Sequence, residues 1–150
     1  MSTIEGHIIM AQGLKKSDLE KLAQSKADDA QLLFLNGRYS NAYYLGGYAA
    51  EFGIKACIAS RIEANTIPDK KFIDKIFVHD LGVLIGVAGL QSELKGQENA
   101  DQFFHANWGI VSKWSEQRRY DVVDRSTTQF FLEALINPDH GVLPWIKRYW

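Results

Sequence analysis

The sequence predicts an all-α fold, an up-and-down helical bundle of four long core helices plus short additional helices. It reads as a single domain over residues 1–150, with a core over about 17–150. Three observations carry this expectation. Apolar residues recur at spacings of three and four rather than two. The periodic segments end at helix stops such as Asn36-Gly37 and Asn137-Pro138. No alternating run is long enough for a strand, no repeat has a fixed period, and no low-complexity linker divides the chain.

The first helix is expected over residues 17–36. Ser17-Asp18-Leu19-Glu20 has the pattern of a capping box, in which the serine oxygen and the glutamate satisfy backbone N–H groups at the helix start. Leu19, Leu22, Ala23, Ala30, Leu33 and Phe34 mark its apolar side, and Asn36-Gly37 stops it because both residues tolerate a left-handed backbone. A second helix is expected from residue 40 to about 64. Ala42, Leu45, Ala49, Phe52, Ala56 and Ala59 form one seam; Asn41, Tyr44, Tyr48, Glu51 and Lys55 form another with polar tips. Gly46, Gly47, Ala49 and Ala50 admit a close neighbour, and the two glycines lower intrinsic helicity, so tertiary packing must hold this turn. Such a helix belongs at the centre.

Pro68-Asp69 opens a brief helix over 69–77, and His79-Asp80-Leu81 begins another that stops near Gly89. The polar stretch 91–99 reads as a surface connection. Over 100–116, Phe104, Trp108, Val111 and Ser115 define one stripe while Phe103, Asn107, Ile110 and Trp114 define its neighbour, which predicts a bulky buried face. A helix over 126–136 carries Phe130, Phe131, Leu135 and Ile136 and ends where Pro138 forbids continuation. The tail 142–150 reads as a short amphipathic piece.

With 150 residues, 46% hydrophobic and 23% charged, the chain is neither disordered nor fibrous. A chain of this size buries roughly 68–70% of its unfolded surface and needs no disulfide or metal staple. Seventeen Lys+Arg against 18 Asp+Glu leave a net charge of −1, so any nucleic-acid contact must be local. The single cysteine, Cys57, cannot form an internal disulfide and excludes a Cys-rich zinc module, which suits a reducing compartment. The stretch MSTIEGHIIMAQGLKK lacks a basic segment followed by a long apolar run, so it does not read as a secretory leader. The most apolar stretch, 42–59, is interrupted by Glu51 and Lys55 and fits a buried helix better than a membrane span. The expectation is a cytoplasmic protein with no membrane partner.

Common catalytic signatures are absent: GxxxxGK[ST], GxGxxG, HExxH and GxSxG do not occur. His7, His79, His105 and His140 are scattered, none at helical spacing from another histidine or from the cysteine. Neither a metal nor a cofactor is therefore expected.

Two clusters carry the remaining chemistry. Glu51, inside an otherwise apolar helix, must be paired, hydrogen-bonded or placed at a cleft. Its structural reading is an i,i+4 pair with Lys55, worth about 0.3–0.5 kcal/mol on a helix surface. Its functional reading is a polar groove lined by Asn41, Tyr44, Tyr48, Glu51 and Lys55. The second cluster is Trp114-Ser115-Glu116-Gln117-Arg118-Arg119-Tyr120. Arginines ending a helix complement its dipole, which is the structural reading. In the functional one, Arg118 and Arg119 grip a phosphate while a base stacks on Trp114 or Tyr120, as a nucleotide or single-stranded RNA is held.

The run from Leu32-Leu33 through Asn36-Gly37-Arg38-Tyr39-Ser40-Asn41-Ala42-Tyr43-Tyr44-Leu45-Gly46-Gly47-Tyr48-Ala49-Ala50-Glu51, with Lys55-Ala56, His79-Asp80-Leu81, Trp108 to Trp114, Glu116 and Arg119-Tyr120, resembles the HEPN (higher eukaryote and prokaryote nucleotide-binding) domain family. The resemblance spans residues 20–150 and lies in the order and spacing of the pieces rather than in any one of them. It implies an up-and-down helical bundle, commonly a homodimer. It also implies one of two roles. Some members are metal-independent ribonucleases of toxin–antitoxin and defence systems; others are non-catalytic domains that bind nucleotides or accompany a small nucleotidyltransferase.

Catalytic members share an arginine followed after four to six residues by a histidine, a pair suited to acid–base work and charge stabilisation at an RNA phosphate. Arg119-Tyr120 stands where the family's arginine is expected, but the histidine positions hold Asp124, Arg125 and Ser126. No other histidine follows an arginine at that spacing. The leading expectation is thus a non-catalytic HEPN-like protein that dimerises and binds a nucleotide, RNA or a nucleotidyltransferase partner, through a cleft between the Glu51 helix and the 116–120 segment. The alternative is a ribonuclease in which Arg118 or Arg119 stabilises charge and Glu116 or Glu51 replaces histidine as base. A purely structural dimerisation module is a third reading, favoured if Arg119 and Glu51 pair with each other.

Overall fold

The computed structural model describes residues 13–150, and every regular element among them is helical. The stretch 1–12, expected to carry no leader, lies outside the described residues, as does His7. The elements are α1 (Lys16–Leu35), α2 (Tyr39–Ala59), α3 (Lys70–Ile76), α4 (Leu81–Val87), α5 (Gln91–Ala100), α6 (Gln102–Val111), a 3-10 turn (Glu116–Tyr120), α7 (Arg125–Ile136) and α8 (Val142–Ile146). Chain neighbours pack on one another, α1 on α2, α6 on α7 and α7 on α8, giving an all-α bundle.

α2 is the central element, touching α1, α4, α7, α8 and the 3-10 turn. Its small residues explain this position. Ala42, Ala49, Ala50 and Ala56 are fully buried, and a Cβ on Gly46 would lie 2.9 Å from the ring of Phe131. Ala23, Ala27 and Ala30 do the same work on the facing side of α1. Larger chains such as Ile54, Phe104, Phe131 and Trp145 fill the space around this narrow axis, each contributing about 1.5–3 kcal/mol of transfer free energy.

Helix ends follow local chemistry. α1 closes in a Schellman motif: Arg38 N–H donates to Leu33 O (2.8 Å), Gly37 N–H to Phe34 O (3.1 Å), and Gly37 takes φ +76°. α4 ends the same way at Gly89, φ +72°. Asp80, Asp101 and Asp124 cap α4, α6 and α7 by accepting N–H groups of Val83, Phe103 with Phe104, and Thr127.

Several expectations are corrected. Lys15 holds the N-cap position of α1 and no side chain caps it, so the Ser17 capping box is not formed. α2 ends at Ala59 rather than near 64; past it the backbone tightens, with Arg61 N–H donating to Ile58 O and Ile62 N–H to Ala59 O, and Ser60 Oγ bonds back to Cys57 O at 2.6 Å. The stretch 91–99 is the helix α5, not a connection; it buries no residue completely, which made its polarity look like that of a loop. The helix over 100–116 stops at Val111, and its second stripe is split: Phe103 and Ile110 are exposed, while Trp114, past the helix end, is buried. Phe130 of α7 is exposed as well. The tail, by contrast, is the amphipathic piece expected: it holds α8, whose Val142, Leu143, Trp145 and Ile146 are buried, while Lys147 is partly exposed and Arg148 exposed.

Candidate functional site

Glu51 lies in the middle of α2 with only 1% of its surface exposed. A carboxylate so placed is costly unless each oxygen finds a cation or donor. Oε2 accepts from Lys55 Nζ at 3.0 Å, one turn further along α2. Oε1 stands 2.9 Å from Nδ1 of His79. His79 comes from the loop between α3 and α4, and its neighbour Asp80 fixes that loop by capping α4 through Val83 N–H at 3.0 Å.

The other ring nitrogen of His79, Nε2, faces Oε2 of Glu116 at 3.1 Å. Glu116 opens the 3-10 turn, which Ser115 caps through Gln117 N–H. Its carboxylate also accepts from the Tyr48 hydroxyl at 3.2 Å and pairs with Arg119 Nη1 at 3.3 Å. Arg119 Nη2 donates to the Tyr120 hydroxyl at 2.9 Å, with its guanidinium carbon 4.8 Å from the centre of that ring. One chain of polar contacts therefore runs Lys55, Glu51, His79, Glu116, Arg119, Tyr120, from the core to the surface. An imidazolium at His79 donates to both carboxylates; a neutral ring donates to one only.

Trp114 forms the floor. It is 2% exposed and its ring centre stands 5.2 Å from that of Tyr48, edge to face. Gly47 makes room for it, since a Cβ there would lie 1.8 Å from the indole. This packing is why the backbone leaves α6 at Val111: Trp114 turns inward while Glu116 to Tyr120 run over it. Tyr44 donates to Tyr48 at 3.3 Å. Burial, the Tyr44 hydroxyl and the nearby Glu116 and Glu51 charges push the Tyr48 phenol well above its usual range, so it remains a donor to Glu116. The Tyr120 and Tyr44 phenols hold the Arg119 charge even more firmly than usual.

The structure joins the two predicted clusters. Tyr44, Tyr48, Glu51 and Lys55 meet Trp114, Glu116, Arg119 and Tyr120 around His79. Asn41 and Arg118 stand apart: Asn41 is exposed in the first turn of α2, and Arg118 pairs with Asp121 at 3.1 Å beside the Tyr43 ring. Arg119 and Glu51 do not pair directly; His79 and Glu116 separate them. Trp114 has no ring face open for stacking, whereas Tyr120 is 72% exposed. His79 was missed as a site residue because it lies 28 positions from its partner Glu51. The one available signal was Glu51 itself, a buried carboxylate whose second oxygen Lys55 does not serve.

Among the described residues, no three His, Cys, Asp or Glu side chains come together as a metal site, and no helix is long and apolar enough to cross a membrane. No family model, curated protein or solved structure matches the chain.

Proposed function

We propose that the chain is a non-catalytic HEPN-like module, a homodimer that binds the phosphate groups of a nucleotide or RNA at the Arg118–Arg119–Tyr120 rim. The reading rests on the HEPN resemblance and on the chemistry of that rim. The observation that carries it is the mutual engagement of the interior charges. Both oxygens of Glu51 and both of Glu116 already face Lys55, His79, Tyr48 or Arg119. Neither carboxylate is left over as the base that a histidine-free ribonuclease requires. The same contacts brace the start of the 3-10 turn against α2 before any ligand arrives, which lowers the ordering cost of binding.

At the outer edge of that frame, Arg118, paired with Asp121, and Arg119, paired with Glu116, keep their side chains 45% and 42% exposed, and Tyr120 offers an exposed ring. Guanidinium forks match phosphate oxygens, and a phenol ring accepts a stacked base. Fluorescence anisotropy of end-labelled single-stranded RNA, with nucleoside phosphates as competitors, tests the reading. Saturable binding that the Arg118→Gln/Arg119→Gln double variant loses is expected; equal binding by the variant contradicts it.

One observation favours a second reading, a metal-independent ribonuclease. His79 is 41% exposed and its Nδ1 is oriented by the buried Glu51 carboxylate, so its Nε2 serves as a general base once a substrate displaces Glu116 from it. In that case RNA is cut in the presence of EDTA, and both His79→Ala and Arg119→Ala abolish cutting.

A further inference from the structure

Arg61 follows the end of α2 and reaches across to α4, where Nη1 donates to Val87 O at 2.7 Å. Its guanidinium lies over Gly89, where a Cβ would come within 2.6 Å of that nitrogen. One donor of the fork is thus anchored, and the others keep a fixed direction. Lys71 and Lys75 stand one turn apart on α3 and make no ion pair with any described residue, whereas the adjoining Lys70 is paired with Asp74 at 3.0 Å. Like charges one turn apart weaken a helix, and an anion held between them reverses the sign of that effect. These three cations border a groove of about 560 Å³ beside a single acid, Asp69, while Phe72 and Val87 give it an apolar wall. In a chain whose net charge is −1, this is a local concentration of positive charge.

We infer that the groove between α3 and α4 binds a small phosphorylated molecule with an apolar body, its phosphate held by Arg61, Lys71 and Lys75 and its body laid against Phe72. The volume suits a small molecule, and anchored guanidinium and ammonium groups are phosphate ligands. No residue of the groove belongs to the Arg119 site, so the inference stands whether or not the proposed function does.

The test is an NMR titration of the full chain with phenyl phosphate, following backbone amides. Saturable shifts are expected at residues 70–76 and 83–91, stronger than with inorganic phosphate. Lys71→Gln/Lys75→Gln weakens binding by about tenfold or more while leaving the circular dichroism spectrum unchanged. Arg119→Gln leaves binding intact, which separates this site from the rim. Shifts that never saturate, that centre on residues 116–120, or that persist undiminished in the double lysine variant overturn the inference.

Discussion

Glu51, buried in the middle of α2, and His79, half-exposed in the loop before α4, meet through a 2.9 Å contact between Oε1 and Nδ1. That contact fastens the loop to the central helix and, through Nε2, fastens the 3-10 turn as well. Removing the buried partner strands two groups. Glu51→Ala is expected to cost about 3–5 kcal/mol, because Lys55, only 11% exposed, loses its counter-charge in a dry setting and His79 loses the acceptor that fixes its ring. His79→Ala is expected to cost only about 1–2 kcal/mol, since water reaches that ring. Urea unfolding followed by circular dichroism measures both; a Glu51→Ala loss within about 0.5 kcal/mol of zero contradicts the network.

Glycines divide into two classes by what surrounds them. Gly47→Ala places a Cβ 1.8 Å from the Trp114 ring and is expected to destabilise by 3 kcal/mol or more, about the upper end for overpacking. Trp114→Leu in the same chain relieves the clash and recovers part of that loss. Gly109 in α6 and Gly96 in α5 face open space, so alanine at either is expected to stabilise by about 0.5–1 kcal/mol. Thermal melts of the single variants should show opposite shifts.

Acid sensitivity follows from two helix caps. The His140 hydrogen bond and the Phe104 and Phe103 N–H groups hold the Asp101 carboxyl below its usual range, and Thr127 does so for Asp124. A depressed folded-state value means stability that is fully present above the unfolded carboxylate value of about 3.9 and is lost as pH falls from there through the lower folded-state value. Asp101→Asn keeps an acceptor for the cap and removes the charge. Its stability should therefore fall less between pH 5 and pH 3, roughly the window of that titration, than that of the wild type. Parallel slopes in the two proteins would refute the assignment.

Cys57 offers a probe of global opening. Burial pushes its thiol up to about 11, and its Sγ contacts Ile146 O at 3.6 Å in the core. At pH 8 a disulfide reagent should modify it only as fast as the whole bundle unfolds, with Glu51→Ala accelerating the reaction in proportion to its lost stability. Rapid labelling of the wild type, with no dependence on stability, would place the thiol outside the core.

The parts of the fold legible in the sequence are those with local causes. The Asn36-Gly37 stop, the helix start at Asp80 and the end of α7 before Pro138 depend on backbone preferences that travel with the residues. Elements whose cause is tertiary were misread. α5 hides its helical character because little of it packs inward. Trp114 left the expected helix to fill the space above Gly47, a gap that no periodicity records. At the site, Glu51 announced itself as a carboxylate out of place, and Lys55 at i+4 was visible. His79 and its bridge to Glu116 were not, since a contact across 28 positions leaves no local pattern.

The deciding property of this site is whether it holds RNA without cutting it. Incubating end-labelled RNA with the purified protein in EDTA at neutral pH, beside Arg119→Ala, tests that most directly, with bound and free RNA separated on a native gel and fragments on a denaturing one. Full-length RNA, retarded by the wild type and not by the variant, is the predicted result. Fragments made by the wild type and lost in Arg119→Ala would contradict it and make His79 the base to test next.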